Sequence, residues 1–179
     1  MGLPYVATLK CDGSSFTAVY DPELDDVVVC SRNYKVDPDG PSAFAEVARK
    51  HDLRTILRDH PNLAIQGEVC GPKIQGNKFN LTENTLTVFS IYNTEMKHYL
   101  TYQEMAAVCD LHLELTVVPL IDSGDCFDET VQTLLEKAKG FYPGTKNHRE
   151  GLVYRSATHE QRFVSFKVVS NDYLMAETE

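Results

Sequence analysis

The sequence predicts an α+β domain of antiparallel sheets flanked by helices. Two observations carry that prediction. Short stretches of alternating apolar residues outnumber helical patterns, and they do not alternate regularly with helices as βαβ units require. No internal repeat or low-complexity segment divides the 179 residues, a length that suits one ordinary domain, so a single domain over 1–179 is expected.

Apolar alternation places strands at 6–10, 16–20, 27–31, 63–70, 86–92, 115–120, 151–155 and 163–168. Asp21-Pro22-Glu23 and Asp37-Pro38-Asp39-Gly40 supply turns. Three helices are expected. The first begins at the N-cap Ser42, sets Phe44, Val47, Ala48, Ile56 and Leu57 on one face, and stops before Pro61. The second begins at Thr101, with Glu104 completing a capping box. The third spans 128–139, with acids first, Lys137 and Lys139 last, and Gly140 as terminator.

Composition narrows the function classes. Hydrophobic residues make up 42% of the chain, as in a folded soluble protein. No apolar run approaches the ~20 residues of a membrane span. Met1-Gly2-Leu3-Pro4-Tyr5 lacks the regions of a signal peptide, and Val6 stands where a myristoylation signal needs Ser or Thr. A cytoplasmic location without membrane attachment is therefore expected. The five cysteines show no Cys-x-x-Cys pair, which argues against zinc or thioredoxin-type redox chemistry and for reduced, mostly buried thiols. A net charge of −9 excludes a protein that coats nucleic acid nonspecifically. It leaves room for a local basic site, because Lys10, Arg32, Lys35, Lys73, Lys78, Arg149, Arg155 and Lys167 lie in or beside the motifs below.

Neither a P-loop nor a Gly-x-Gly-x-x-Gly dinucleotide fingerprint is present. His112-Leu113-Glu114 matches half of a zinc deaminase signature, but the Pro-Cys-x-x-Cys half is missing, so it reads as ordinary sequence at or after a helix end.

Five residues, in order, suit covalent capture of a nucleotide on a lysine. Lys10 ends an apolar strand before the turn Asp12-Gly13. As a nucleophile it must lose its proton, which nearby cations and partial burial favour; Lys167 and a bound divalent metal are the natural cations. Glu68, flanked by apolar residues, suits a ribose hydroxyl. Phe89, on a strand, can offer its face to a purine. Glu150, just before Gly151, can hold a metal ion through its carboxylate, or as a loop residue pair with Arg149. A single Lys-x-Asp-Gly arises often by chance; the ordered set does not.

The set resembles the lysine-dependent nucleotidyltransferases: DNA ligases, RNA ligases and mRNA capping enzymes. It is most similar to ATP-dependent RNA ligases of the Deinococcus and Naegleria type. The likeness rests on Lys10-Cys11-Asp12-Gly13-Ser14-Ser15, Ser31-Arg32-Asn33, Gln66-Gly67-Glu68, Gly71-Pro72-Lys73-Ile74-Gln75-Gly76-Asn77, Val88-Phe89-Ser90-Ile91-Tyr92, Arg149-Glu150-Gly151-Leu152-Val153-Tyr154-Arg155 and Ser165-Phe166-Lys167-Val168-Val169-Ser170-Asn171.

This resemblance implies the nucleotidyltransferase fold, an ATP-grasp-like ligase catalytic architecture. It implies that Lys10 attacks the α-phosphate of ATP, that Lys167 contacts that phosphate, and that Glu68 binds the ribose. Phe89 stacks on adenine, Glu150 binds magnesium or manganese, Arg32 contacts phosphate or the RNA end, and Asp12 positions the lysine. The AMP then passes to a 5′-phosphate RNA end, free or at a duplex nick, and a 3′-hydroxyl displaces it. DNA nick sealing, GTP-dependent capping, and nucleotide or RNA-end binding without turnover are the alternatives. Relatives of this type carry an N-terminal oligonucleotide-binding (OB) domain. Nine residues precede Lys10 here, so a catalytic domain without an OB domain is the expectation.

Overall fold

The computed structural model describes residues 2–159 and 163–178. It divides the chain into two compact units. One combines the residues up to Asp12 with those from Val118 onward, and the other is the continuous segment Gly13–Val117.

The continuous unit is built on a six-stranded antiparallel sheet. Its strands are β2 (Ser14–Asp21), β3 (Asp26–Cys30), β4 (Lys35–Val36), β5 (Leu63–Cys70), β6 (Thr85–Asn93) and β7 (His98–Tyr99), in the order β4-β3-β2-β5-β6-β7. The period of two is visible in burial: Phe16, Ala18, Val27, Val29, Ile65, Val69, Leu86 and Val88 point to one face and form its core. Helices α1 (Ala43–Lys50), α2 (Leu53–Asp59) and α3 (Tyr102–Val108) contribute Val47, Ala48, Leu53, Leu57 and Met105 to that core.

The helix starts follow the capping residues. Ser42 accepts the Ala45 N–H to open α1, and Thr101 and Glu104 close a reciprocal capping box on α3. The expected single helix from Ser42 towards Pro61 is two helices, because Asp52 takes a left-handed conformation (φ 46°), which a short polar side chain tolerates. Beyond α3 a π-helical turn, Cys109–Leu113, ends at Glu114 in the left-handed region, so His112 and Glu114 do mark a helix end.

His51 sits at the C-terminal cap of α1. Burial, followed by the Lys50 charge, pulls its imidazole below the ordinary 6.5. The unfolded chain therefore binds this proton first as pH falls, so the contribution to stability is complete above the unfolded value and declines as pH drops from there toward the folded one. Urea midpoints at about pH 7.5 and about pH 5.5 are expected to converge in His51→Gln relative to wild type.

The discontinuous unit carries a four-stranded antiparallel sheet, β10-β9-β1-β8, made of β1 (Tyr5–Leu9), β8 (Leu120–Gly124), β9 (Gly151–Ser156) and β10 (Ser165–Val169). Helix α4 (Val131–Ala138) packs Leu134, Leu135 and Ala138 over Ala7, Leu152, Tyr154 and Val168. Tyr154 stacks on Phe166 at 5.3 Å, and Tyr5 meets Phe127 edge-on at 5.3 Å. The Tyr154 hydroxyl is buried with no hydrogen-bond partner among the described residues, so the ring's role there is apolar. On the rim of this core Lys137 pairs with Asp122 at 2.7 Å and with Glu129, tying α4 to β8.

Several expectations are corrected. The strand expected at 115–120 is β8, Leu120–Gly124; Pro119 has no N–H to give a ladder and instead accepts the Leu9 N–H, so regular pairing starts after it. Helix α4 starts three residues later than 128, because Thr130, not an acid, caps it through the Thr133 N–H. The short helix α5 (Asn171–Ala176) lacks an amphipathic signal, since none of its residues is buried. The cysteines form no disulfides, yet among them only Cys70 and Cys109 are buried, and Cys126 is exposed.

Candidate active site

In the discontinuous unit the registers place the motif residues. β1 pairs with β9 through Leu9 and Leu152, and the Lys10 N–H extends the ladder to the Gly151 carbonyl at 3.0 Å. Lys10 therefore leaves the strand end opposite the start of β9. Its ammonium meets the Glu150 carboxylate at 2.6 Å, with the two side chains only 19% and 18% exposed. Partial burial strengthens such a pair relative to a surface one, because less water screens it.

Glu150 is fixed from both sides. Its N–H donates to the Tyr142 hydroxyl at 3.1 Å, and its carbonyl accepts the Ser170 N–H at 2.8 Å. The same Tyr142 hydroxyl donates to the Lys10 carbonyl at 3.1 Å. Arg149 does not pair with Glu150. Its guanidinium turns back to donate to the Lys137 and Ala138 carbonyls at 2.6 and 3.1 Å, satisfying the C-terminus of α4. Gly151 has φ +148°, and a Cβ there would lie 1.9 Å from the Val168 carbonyl oxygen. A glycine after Glu150 is thus what lets β10 close on β9.

Asp12 accepts a hydrogen bond from the Tyr173 hydroxyl of α5 at 2.8 Å. Lys167 stands in one cross-strand row with Val153 and Thr8. Lys10, two residues on from Thr8, projects from the same sheet face. The two lysines are two strands apart, about 10 Å across the sheet. The charge in direct contact with Lys10 is therefore a carboxylate, not the second lysine.

The continuous unit holds the other motif residues on the sheet face opposite its core. Glu68 pairs with Ser15 on one side and Thr87 on the other. A bulge between Gln66 and Gly67 leaves Phe89 without an opposite residue on β5, a device that re-aims a side chain out of strict alternation. Ser90, opposite Gln66, is 7% exposed. Arg32 is exposed in the turn closed by the Ser31 N–H on the Tyr34 carbonyl at 2.8 Å, and Lys35 pairs with Cys30 in the row that continues through Thr17 and Gln66. Within this unit the fold brings Glu68 and Phe89 to one face, one strand apart.

Sequence reasoning missed three residues that hold this arrangement: Tyr142, Arg149 in its capping role, and Tyr173. The only cue for Tyr142 is its place between Gly140 and Gly144 just ahead of Glu150.

A lysine and a carboxylate joined at the edge of one antiparallel sheet, and a glutamate and an aromatic on the open face of the other sheet, define an α+β protein of the ligase type. Residues 3–169 match the RNA ligase family model, and the chain belongs to the RNA ligase family. Among solved structures it is similar to Naegleria gruberi RNA ligase with PPi, at 30% identity and a TM-score of 0.87, over 99% of this chain and 52% of that one. It is equally similar to a mutant of that enzyme with ATP and Mn, at 30% identity and a TM-score of 0.88, over 99% of this chain and 53% of that one. The chain thus spans about half the length of the solved ligases it matches. No curated protein sequence matches it. Among the described residues no helix is long and apolar enough to cross a membrane.

Proposed function

We propose that this chain is the nucleotidyltransferase part of an ATP-dependent RNA ligase, with Lys10 as the residue that carries AMP. The observation that carries the reading is the partly buried Lys10–Glu150 pair at 2.6 Å. It holds an amine at a fixed place on a strand end, in direct contact with a carboxylate.

The ammonium must leave that pair and give its proton to solvent before it can attack. Lys10 Nζ then bonds to the α-phosphorus of ATP, and the bond to the bridging oxygen breaks so that pyrophosphate departs with the electron pair. A 5′-phosphate oxygen of an RNA end displaces the lysine from AMP, and a 3′-hydroxyl next displaces AMP, sealing the strand. Lys167 is assigned to the α-phosphate, Glu68 to the ribose, Phe89 to adenine, Arg32 to phosphate or the RNA end, and Asp12 to positioning Lys10. Positioning and charge neutralisation supply most of the catalysis in such transfers.

Glu150 is the residue that would hold a divalent cation. It offers a single partly exposed carboxylate, and Mg²⁺ or Mn²⁺ is commonly held by one or two carboxylates together with substrate phosphates, so the donor chemistry fits. When bound, the cation supplies charge neutralisation at the phosphates.

RNA ends are the proposed substrate, and an OB-fold domain, as the family resemblance implies, is the proposed partner that engages them. The cysteines, free of disulfides, support a reducing compartment such as the cytoplasm.

Incubation with Mg²⁺ and α-labelled ATP or GTP, followed by a denaturing gel, tests the reading. Label retained from ATP is the expected result. Label from GTP alone means capping chemistry, and label from neither means a binding module. Nicked duplexes with RNA or DNA at the 3′-hydroxyl side then separate RNA from DNA sealing.

A further inference from the structure

We infer that Tyr142 is a positioning residue for the nucleophile: its buried hydroxyl ties the backbone of Lys10 to that of Glu150 and so sets how the amine meets the carboxylate. The inference rests on the reading of Lys10 as the nucleophile.

Tyr142 is 1% exposed, and nothing in the proposed reaction calls for a phenol there. Its hydroxyl donates to the Lys10 carbonyl and accepts from the Glu150 N–H, each at 3.1 Å. A hydroxyl has one proton to give, so both bonds are met in one orientation only. Burial pushes this phenol well above its ordinary range, so it keeps that proton.

The hydroxyl stands where the ladder between β1 and β9 runs out. The last direct bond is Lys10 N–H to Gly151 carbonyl, and the next link between the two strands passes through the tyrosine. The remaining backbone groups of the pair are committed elsewhere, Lys10 N–H to Gly151 and the Glu150 carbonyl to Ser170. Loss of the hydroxyl therefore leaves the Lys10 carbonyl and the Glu150 N–H without this link, and both peptides gain freedom to rotate. A peptide rotation turns the Cα–Cβ direction of its residue, which moves the tip of a long lysine farther than its root.

The ring itself is held by its loop. The Tyr142 N–H donates to the Asn147 carbonyl at 3.0 Å, the Thr145 N–H donates to the Tyr142 carbonyl at 3.1 Å, and Phe141 bridges to His148. The link is thus a fixed strut and not a mobile contact.

The test compares wild type, Tyr142→Phe and the control Tyr154→Phe, which removes a buried hydroxyl that bonds to nothing among the described residues. Two measurements are made: single-turnover formation of the lysyl-adenylate against ATP concentration, and the rate of Lys10 acetylation by acetic anhydride at one fixed pH, mapped by mass spectrometry. In Tyr142→Phe the rate at saturating ATP is expected to fall about 10- to 100-fold with little change in half-saturating ATP, as for a misplaced reacting group. The acetylation rate is expected to rise, because the amine is held less firmly against Glu150. Tyr154→Phe is expected to match wild type in both. p-Aminophenylalanine at 142, which donates and accepts, is expected to restore most of the rate, and it also serves if the phenylalanine variant fails to fold.

Wild-type rates of adenylylation and of acetylation in folded Tyr142→Phe overturn the inference, as does failure of the amino analogue to restore either. Wild type that takes no label from ATP refutes the catalytic reading instead, and the acetylation rate still decides the role of Tyr142.

Discussion

Lys10→Ala is expected to take no label from ATP under conditions where wild type is labelled to completion. On the proposed reading the amine of Lys10 is the atom that bonds to the nucleotide, and alanine removes it. Removal of a nucleophile in covalent catalysis costs on the order of 10⁶-fold in rate where it has been measured in another enzyme. Lys10→Arg is expected to behave the same way, since a guanidinium keeps the charge opposite Glu150 but does not give up a proton. The pair is partly exposed, so truncating Lys10 should lower stability by only about 1–2 kcal/mol, and melting curves should show a folded protein. A folded Lys10→Ala protein that still becomes labelled would place the nucleophile elsewhere.

Gly151→Ala is expected to be strongly destabilising. The added carbon would lie 1.9 Å from the Val168 carbonyl oxygen, and the backbone at φ +148° is one that other residues rarely adopt. Backbone atoms cannot step aside as a side-chain tip can, so β9 and β10 must separate or the peptide must turn. The combined strain and overpacking cost is about 3 kcal/mol or more. For a chain of this length that is a fall in melting temperature of roughly 6–12 °C. Activity should be lost in the surviving folded fraction as well, because Glu150 precedes this residue and Lys167 sits on the displaced strand. A melting temperature unchanged from wild type would show that the two strands tolerate separation.

Much of this architecture was legible in local pattern. β5 falls at 63–70 as alternation predicts, and Ser42 and Thr101 open helices because their side chains satisfy N–H groups that no turn of helix can. Local pattern misleads where one residue overrides it. Pro119 displaces a strand that apolar alternation favours, and Asp52 splits a helix whose apolar stripe reads as continuous. The two-residue strands β4 and β7 are too short to hold any period.

Of the candidate site, residue identities were legible and partnerships were not. Lys10 and Glu150 stand out by type and neighbours, but their pairing depends on a register between β1 and β9 that no local signal encodes. For the same reason Arg149 reads as the partner of Glu150 when its carbonyl partners lie on α4. Tyr142 carries only its place in a glycine-flanked loop as a cue, because a buried tyrosine there looks like any other loop aromatic until both strands are in place.

The separation of β1 from its neighbour β9 has a consequence for the order of events at the ribosome. The segment from Gly13 to Val117 has a complete core of its own and can collapse as soon as it is translated. The strand bearing the amine cannot, because Tyr142 is made 132 residues later and β9 and β10 later still. A nascent chain thus carries Lys10 without its Tyr142 and Glu150 partners throughout synthesis of the segment between them.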